Sequence, residues 1–286
     1  MTATIHDDRA CLLGEGPLWH PERHQFFWFD ILNNRLLTRE RGAQKHWDFN
    51  ENVSAAGWTG RDSLLIASET QLFDFDLTTG AQTHVCPLEP DDPATRSNDG
   101  RADPQGGFWI GMMAKRGLLN PGAIYRYYRG ELRLLYPGIA IPNAISFSPD
   151  GTLAYFTDTR DARIMAQPLD GHGWPKGDSH VFADLRAEGL FPDGSVIDAD
   201  GNMWNAQYAA GRVAVYGPDG RFRNAVAVPG KYSTCPAFGG PDLTTLYCTS
   251  ARQDADPDAL ASHPENGMTF AITNAGKGQP EHRVIL

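Results

Sequence analysis

The stretch NAISFSPDGTLAYF, which runs from Asn143 to Phe156, contains the pattern that decides the fold. Its first half alternates apolar residues with small or polar ones and leads into the turn Pro149-Asp150-Gly151. Pro fixes its own φ and Gly accepts positive φ, so this triplet favours a tight turn. The apolar and aromatic residues after the turn suit a half-buried strand. The stretch therefore predicts a unit of strand, turn and strand.

Similar turn-and-strand units recur along the chain. Their turns begin at positions 21, 61, 104, 149, 199 and 241. The intervals are about 40 to 50 residues, the period expected for propeller blades of four short strands. Helical repeats of this length would need apolar residues at helical spacing, whereas these runs are short and interrupted by Pro, Gly, Asp and Asn. The sequence predicts an all-β protein, a six-bladed β-propeller that occupies residues 1–286 as a single domain.

Four oxygen-bearing side chains share one position in the repeat. Each lies six residues before the residue that opens its turn: Glu15, Asn98, Asn143 and Asp193. In a propeller the first strand of each blade lines the central channel, so residues at its start should lie at one height near one mouth. The equivalent positions of the two other units are Ala55 and Cys235, which leave part of the ring without a hard ligand.

Three of these residues form a candidate metal site in the central channel. Glu15, Asn143 and Asp193 supply two carboxylates and an amide oxygen, and hard cations prefer oxygen ligands. Without a cation, two neighbouring carboxylates would repel and one would take up a proton. Asp and Asn beside Gly are also frequent in turns, but their common phase favours a binding site. We expect one divalent ion, Ca²⁺ first, with Zn²⁺, Mn²⁺, Mg²⁺ or Fe²⁺ as alternatives for the same triad.

Composition disfavours several classes of partner. The net charge is −10, the pI is near 5.3, and no basic run exceeds two residues, which disfavours nucleic acids and anionic membranes as partners. No apolar stretch approaches the length of a membrane span, and the first ten residues are polar rather than a signal peptide. We expect a cytoplasmic protein, and a monomer because propellers close their own sheets.

Other candidate sites are weaker. His20 and His24 have a spacing that suits zinc on a helix, but the proline between them indicates a loop, and both are predicted to be surface residues. Ser195 and Ser233 lack the context of a hydrolase nucleophile elbow. The four cysteines are dispersed and are predicted to be reduced, with a packing role for Cys235. No Gly-rich phosphate loop implies a nucleotide. The long segment 251–266 is interpreted as a solvated connection.

At these positions the sequence resembles the family of SMP-30 (regucalcin), gluconolactonases and related sugar lactonases. The matching stretches are Leu13–Trp19, Arg96–Pro104, Pro142–Asn143 with Phe147–Gly151, Pro192–Asp198 and Phe238–Asp242. They extend from near the N-terminus to the last unit, in order, so the resemblance covers almost the whole chain. It implies a six-bladed propeller with one divalent metal in the channel.

The resemblance also assigns roles to residues. It implies that Glu15, Asn143 and Asp193 are the metal ligands and that Arg96 and Asn98 contact the substrate. The substrate would be a five- or six-membered aldonolactone, hydrolysed to the aldonic acid in carbohydrate catabolism. The metal would polarise the lactone carbonyl, and Asp193 would act as the general base.

This chain departs from the family pattern at two places. Ala144 follows Asn143, where many relatives have Gly. Lys115 and Arg116 stand near the position of a substrate-binding Glu in the vertebrate members, which changes the charge at the edge of the expected pocket and bears on sugar preference.

Two alternative functions remain open. One is a non-enzymatic calcium-binding or regulatory propeller, and the other is a hydrolase of other esters, including phosphotriesters. Ligands inside the channel argue against a pure scaffold, and Arg96 with Asn98 indicates a polyhydroxylated substrate. Lactone turnover with and without a chelator separates the three functions.

Overall fold

The fold is a six-bladed propeller, in a computed structural model that describes residues 1–115 and 122–286. The N-terminal strand is β1 (Ala3–Asp7), and the first blade comprises β2 (Gly14–His20), β3 (Gln25–Asp30), β4 (Arg35–Glu40) and β5 (Ala43–Asp48). The second blade comprises β6 (Val53–Gly60), β7 (Ser63–Ser68), β8 (Gln71–Asp76) and β9 (Gln82–Pro87). The third comprises β10 (Thr95–Ala102), β11 (Phe108–Ala114), β12 (Gly122–Tyr128) and β13 (Glu131–Ile139).

The remaining strands follow the same plan. The fourth blade comprises β14 (Pro142–Phe147), β15 (Leu153–Asp158), β16 (Arg163–Pro168) and β17 (His180–Asp184). The fifth comprises β18 (Phe191–Ile197), β19 (Met203–Tyr208), β20 (Arg212–Tyr216) and β21 (Phe222–Ala227). The sixth contains β22 (Ser233–Gly239), β23 (Thr245–Ser250) and β24 (Thr269–Ile272), with helix α1 (Pro257–Ser262) between the last two strands. In the first blade a 3-10 turn, Ile31–Asn33, follows β3. The predicted all-β, six-bladed propeller is confirmed.

The blades close into a ring. The innermost strands, β2, β6, β10, β14, β18 and β22, each contact the innermost strands of the two neighbouring blades. The sixth sheet is completed by β1, which pairs antiparallel with β24 and places Ala3 opposite Ile272. Because the N-terminal strand joins the last sheet, the first and last blades are held together by backbone hydrogen bonds.

Apolar side chains fill the space between neighbouring blades. Strand β3 is buried at every position, and its residues Phe27 and Phe29 pack with Leu64, Phe73 and Phe75 of the second blade. Each such side chain contributes roughly 1.5–3 kcal/mol when it is fully buried. The blades are therefore rigidly packed against one another, which fixes the positions of the channel-lining strands.

The C-terminal tail crosses the end of the channel that lies away from the phased residues. Glu281 forms an ion pair with Arg101, with 2.6 Å between Oε1 and Nη1, near the C-terminal end of β10. The backbone N–H of Val284 donates to the Trp58 carbonyl at 2.9 Å, and that of Ile285 donates to the Gly106 carbonyl at 2.8 Å. The tail thus joins the second and third blades beneath the channel.

One prediction about a histidine is wrong. His20 is fully buried because β2 extends through it, and its Nε2 lies 3.0 Å from the Gly60 carbonyl oxygen of the second blade. His24 lies in the following turn and is exposed, as predicted. None of the helices in the described ranges is both long and apolar enough for a membrane span.

Candidate active site

Each innermost strand has a register irregularity at the phased position. The irregularities lie between Glu15 and Leu18, Val53 and Ala55, Ser97 and Gly100, Asn143 and Ser146, Pro192 and Ser195, and Ser233 and Pro236. A β-bulge bends its strand and re-aims the side chain at that point. The six phased residues are all buried: Glu15, Ala55, Asn98, Asn143, Asp193 and Cys235. The repeat found in the sequence is therefore a repeat of bulges around the channel.

The residue after the phased position adopts a left-handed backbone in two blades. Gly16 has a φ of 53°, and a Cβ there would lie 2.1 Å from the Ser54 carbonyl oxygen, so only glycine fits. Ala144 has a φ of 58° at the matching place after Asn143. This conformation costs an L-residue roughly 1–2 kcal/mol. The departure from glycine at Ala144 therefore strains the backbone beside a candidate ligand without changing the bulge.

The predicted site residues meet in one cavity of about 130 Å³. The predicted residues in its lining are Glu15, Arg96, Asn98, Asn143 and Asp193. The lining also includes Leu13, Met113, Ile141, Thr159, Tyr208, Gln253 and Asp254, which the sequence did not indicate. A few polar groups that converge between partly apolar walls are typical of small-molecule sites.

The segment 251–266 is more than a solvated connection, and that interpretation is wrong at its start. The backbone N–H groups of Arg252 and Gln253 both donate to the Leu12 carbonyl, at 3.0 and 2.9 Å. Tyr208 donates its hydroxyl to Asp254 Oδ2 at 2.8 Å. These bonds hold Gln253 and Asp254 against the cavity as a fixed polar wall.

The two candidate ligand carboxylates, Glu15 and Asp193, have raised pKa values. Burial, together with the nearby Asp99 carboxylate, raises the pKa of Glu15 to about 8. Burial and the charges of Glu15 and Asp99 raise the pKa of Asp193 well above its ordinary value. Asp99 accepts a hydrogen bond from the Ile145 N–H at 2.8 Å, yet burial still raises its pKa to about 6. A buried acidic group of this kind is relieved either by protons or by a cation.

The donor set of the cavity fits a divalent cation. Two carboxylates, from Glu15 and Asp193, balance two positive charges, and the amide oxygen of Asn143 adds a neutral hard ligand. Among residues 1–115 and 122–286 no cluster of three or more His, Cys, Asp or Glu side chains is placed to hold a metal. The third ligand of the candidate triad is therefore an amide rather than a third acid.

Arg96 begins a chain of hydrogen bonds that runs through both candidate amides. Its Nη1 donates to Asn98 Oδ1 at 2.8 Å, and Asn98 Nδ2 donates to Asn143 Oδ1 at 3.0 Å. Asn143 Nδ2 then donates to Thr159 Oγ1 at 2.9 Å, and the Thr159 hydroxyl donates to the Pro192 carbonyl at 2.8 Å. The chain links the third, fourth and fifth blades at the cavity.

Two further features concern charge near the cavity. Lys115 is paired with Glu69, with 2.7 Å between Nζ and Oε2, so its charge is compensated. Arg116, the other residue expected at the pocket edge, lies outside the described residues.

Burial raises the pKa of the Cys235 thiol, and a Cβ on Gly194 would lie 2.2 Å from its sulfur. A neutral, tightly packed thiol supports the predicted packing role of Cys235.

The raised pKa values predict how the stability of the metal-free protein depends on pH. Below about pH 4.5, the ordinary value for Glu, both folded and unfolded chains hold these protons. As the pH rises toward 8 the unfolded chain ionises first, while folded Glu15 and Asp193 retain protons, so the free energy of unfolding falls. A divalent cation at about 100 times its Kd should restore about 2.7 kcal/mol at pH 8.

Thermal unfolding at pH 5, 6.5 and 8, with chelator or with Ca²⁺, measures this dependence. The matched variant is Glu15→Gln, which removes one of the two carboxylates and should flatten the pH dependence of the metal-free protein. Ca²⁺ should raise the Tm of the wild type but not of the variant. Equal pH profiles for the two proteins would contradict the electrostatic account of the site.

Together, the fold and cavity define a six-bladed propeller with an acidic, amide-lined small-molecule pocket in its channel. Within that class, the chain belongs to the SMP-30/gluconolactonase/LRE-like family, whose profile matches residues 13–252. The resemblance stated from the sequence motifs is confirmed.

Relatives match over nearly the full length of both chains. An L-arabinolactonase from Azospirillum brasilense is 37% identical and covers 98% of this chain and 95% of its own. A 6-deoxy-6-sulfogluconolactonase from Pseudomonas putida is 31% identical, with 91% and 90% covered. The crystal structure of a calcium-binding protein, regucalcin, from Agrobacterium tumefaciens str. C58 superposes with a TM-score of 0.96 at 41% identity, covering 99% of this chain and 97% of that one.

Proposed function

We propose that this protein is a metal-dependent sugar lactonase, which hydrolyses an aldonolactone to the corresponding aldonic acid. The observation that carries the proposal is the meeting of Glu15, Asn143 and Asp193 with Arg96 and Asn98 in one cavity. The names of the relatives support the reaction, since several are lactonases that act on sugar lactones. Family, fold and donor set agree on a small polar substrate.

Glu15, Asn143 and Asp193 are the residues that would hold the metal. We propose Ca²⁺, because all three ligands are oxygens and because the regucalcin neighbour is described as calcium-binding. Zn²⁺, Mn²⁺, Mg²⁺ and Fe²⁺ are the alternatives. When bound, a divalent ion supplies Lewis-acid polarisation of the lactone carbonyl and of a nearby water.

Asp193 is proposed as the general base. Its carboxylate lies in the same cavity as the other candidate ligands, where it can accept the proton of an attacking water. The ring oxygen then leaves the tetrahedral carbon and becomes the hydroxyl of the open-chain acid. Hydrolysis in this form adds one water and needs no other reactant.

Arg96 and Asn98 are proposed to hold the lactone in the geometry of attack. A guanidinium has five N–H donors, and only two bonds from Arg96, both from Nη1 and to Ser97 O and Asn98 Oδ1, tie it to neighbouring groups of the described chain. The other donors can reach the ester or a sugar hydroxyl. Held in this way, the reacting atoms meet without the entropy cost of free encounter.

The walls of the cavity suit a neutral polyhydroxylated ring. Leu13, Met113 and Ile141 offer apolar surface to the carbon face of a sugar, whereas Tyr208 and Gln253 offer hydrogen-bonding groups to its hydroxyls. We therefore propose five- and six-membered lactones of neutral sugars as the substrate class. The expectations of a monomer, of a cytoplasmic location and of a single domain over residues 1–286 stay predictions.

A pH-stat assay tests the proposed reaction. Chelator-stripped protein is given single metals and a panel of glucono-, galactono-, arabinono- and xylonolactone, and acid release is recorded. We expect release that requires a metal, favours one lactone and is absent in Glu15→Gln, because that variant loses a charged ligand. The panel includes a simple aryl ester and a phosphotriester as competing substrates.

Two outcomes would contradict the proposal. Tight metal binding without turnover of any lactone would favour the binding or regulatory propeller. A higher kcat/KM for the aryl ester or the phosphotriester than for every lactone would favour a hydrolase of other esters. Metal affinity is measured separately by chelator competition, so binding and catalysis are not confused.

A further inference from the structure

The hydrogen-bond chain that starts at Arg96 has a direction fixed by chemistry at its first step. A guanidinium carries donors and no acceptor, so the atom of Asn98 that faces Arg96 must be its amide oxygen. The Asn98 NH₂ group is then left to donate, and it reaches the carbonyl oxygen of Pro142 at 3.1 Å as well as Asn143 Oδ1. The hydrogen-bond partners of the Asn98 amide therefore fix its orientation.

The same reasoning carries through Asn143 to the other end of the chain. Because Asn98 donates, Asn143 must present its oxygen to Asn98 and its NH₂ group to Thr159. The Thr159 hydroxyl accepts that bond and donates its own proton to the Pro192 carbonyl, which can only accept. At one end of the hydrogen-bond chain the Arg96 guanidinium can only donate, and at the other end the Pro192 carbonyl can only accept. Each amide and hydroxyl between them therefore has one orientation.

The orientation of Asn143 decides whether it can bind a cation. Only the amide oxygen has lone pairs for a cation, and it has two. One lone pair accepts from Asn98, and the second remains for a ligand in the cavity. If the amide rotated by half a turn, its NH₂ group would face the donor of Asn98, and its oxygen would face the Thr159 hydroxyl.

We propose that Thr159 is a positioning residue, whose hydroxyl holds the Asn143 amide with its oxygen available to the cation. This inference rests on the proposed function, because the cation is that of the proposed lactonase. Thr159 is itself held in place, since its backbone N–H donates to the Ile141 carbonyl at 3.0 Å directly after β15. Its bond to Pro192 on β18 fixes the fourth blade to the fifth beside the site.

The chain offers a matched control in the first blade. Thr38 accepts the side-chain NH₂ group of Gln25 at 2.9 Å and donates to the Phe26 carbonyl at 2.6 Å, which is the same bonding as at Thr159. Thr38 is buried and is not part of the cavity lining. Thr38→Val therefore removes an equivalent hydroxyl without touching the candidate site.

The first test is metal affinity, measured by chelator competition with Ca²⁺ and Mn²⁺ in the absence of lactone. Thr159→Val should weaken the Kd about 10–100-fold, the usual effect of losing a partner that orients a ligand. Thr159→Ser keeps the hydroxyl and should stay close to the wild type, as should Thr38→Val. A wild-type Kd in Thr159→Val would overturn the proposal. Thermal unfolding checks that each variant folds, and Thr159→Ala replaces the valine variant if that one does not.

The second test does not depend on metal or on turnover. In the metal-free protein, the side-chain NH₂ of Asn143 should exchange slowly with solvent in ¹⁵N NMR spectra, and its signal is assigned by its loss in Asn143→Asp. Exchange should accelerate in Thr159→Val but not in Thr38→Val. Unchanged exchange would overturn the inference. A wild type that binds no divalent cation would instead refute the proposed function, while the exchange result still decides the orientation of Asn143.

Discussion

Asp193→Asn is expected to abolish cation binding and to lower kcat/KM for the preferred lactone by on the order of 10³-fold or more. The substitution preserves shape but removes one of the two charges that balance a divalent ion. It also removes the group proposed to accept the proton of the attacking water. Chelator competition and pH-stat kinetics on the same preparation measure the two losses separately.

The stability of the metal-free variant should change in the opposite direction. Asp193 is buried beside Glu15 and Asp99, and this environment raises its pKa. At pH 8 the neutral amide removes the free-energy cost of keeping Asp193 protonated in the folded state, so metal-free Asp193→Asn should unfold at the same temperature as the wild type or above it. A residue needed only for folding would show a lower Tm together with the lost activity. Opposite signs of the two effects are therefore diagnostic of a ligand.

A control in the same blade tests whether the effects of Asp193→Asn come from the loss of a charge or from its location in the cavity. Asp200 lies exposed in the turn between β18 and β19, and Asp200→Asn removes the same charge far from the cavity lining. It should leave the Kd for metal and the kcat/KM unchanged. Full lactone turnover by Asp193→Asn would contradict the proposed mechanism, including the assignment of the general base.

The site could be predicted from sequence where its signal is local and repeated. Glu15, Asn98, Asn143 and Asp193 precede four of the six similar turns at one fixed distance, and the bulge in each innermost strand brings the residues at that distance to the channel. The bulges themselves were not predicted, because an extra unpaired residue is a property of two strands together. The only sequence feature that correlates with the bulges is the constant spacing between the phased residue and the turn.

Residues that reach the cavity from other elements had no such signal. Thr159 follows the second strand of its blade, and its role depends on Asn143 and on Pro192 of the next blade. Gln253 is brought to the cavity by a backbone bond to Leu12, from the opposite end of the chain. These placements follow from closure of the ring, and no property of the residues alone predicts them.

The second large effect concerns stability at the far end of the channel. Arg101 and Glu281 form an ion pair of 2.6 Å with side-chain exposures of 10% and 8%. Glu281→Gln would leave the Arg101 charge buried without its partner, and such a loss costs about 3–5 kcal/mol. We expect a clearly lower free energy of unfolding in urea. Metal affinity should be unchanged, because the pair lies away from the cavity lining.

An exposed pair gives the comparison. Arg133 and Glu131 lie 2.7 Å apart, close to the separation of the buried pair, but their side chains are 51% and 55% exposed. Glu131→Gln should therefore change the unfolding free energy by only about 0–1 kcal/mol. The same chemical change thus has two expected effects on the unfolding free energy, a large one for the buried pair and a small one for the exposed pair.

The double variant Arg101→Met/Glu281→Leu distinguishes the cost of an unpaired buried charge from the loss of packing in the C-terminal tail. If the cost of Glu281→Gln comes from an unpaired buried charge, removing both charges should recover most of the lost stability. The tail would still be anchored by its backbone bonds to Trp58 and Gly106 and by buried Val284. If the double variant were as unstable as Glu281→Gln, packing of the tail would be the dominant contribution. A Tm for Glu281→Gln equal to that of the wild type would show that Arg101 finds another partner, and that the pair does not brace the channel.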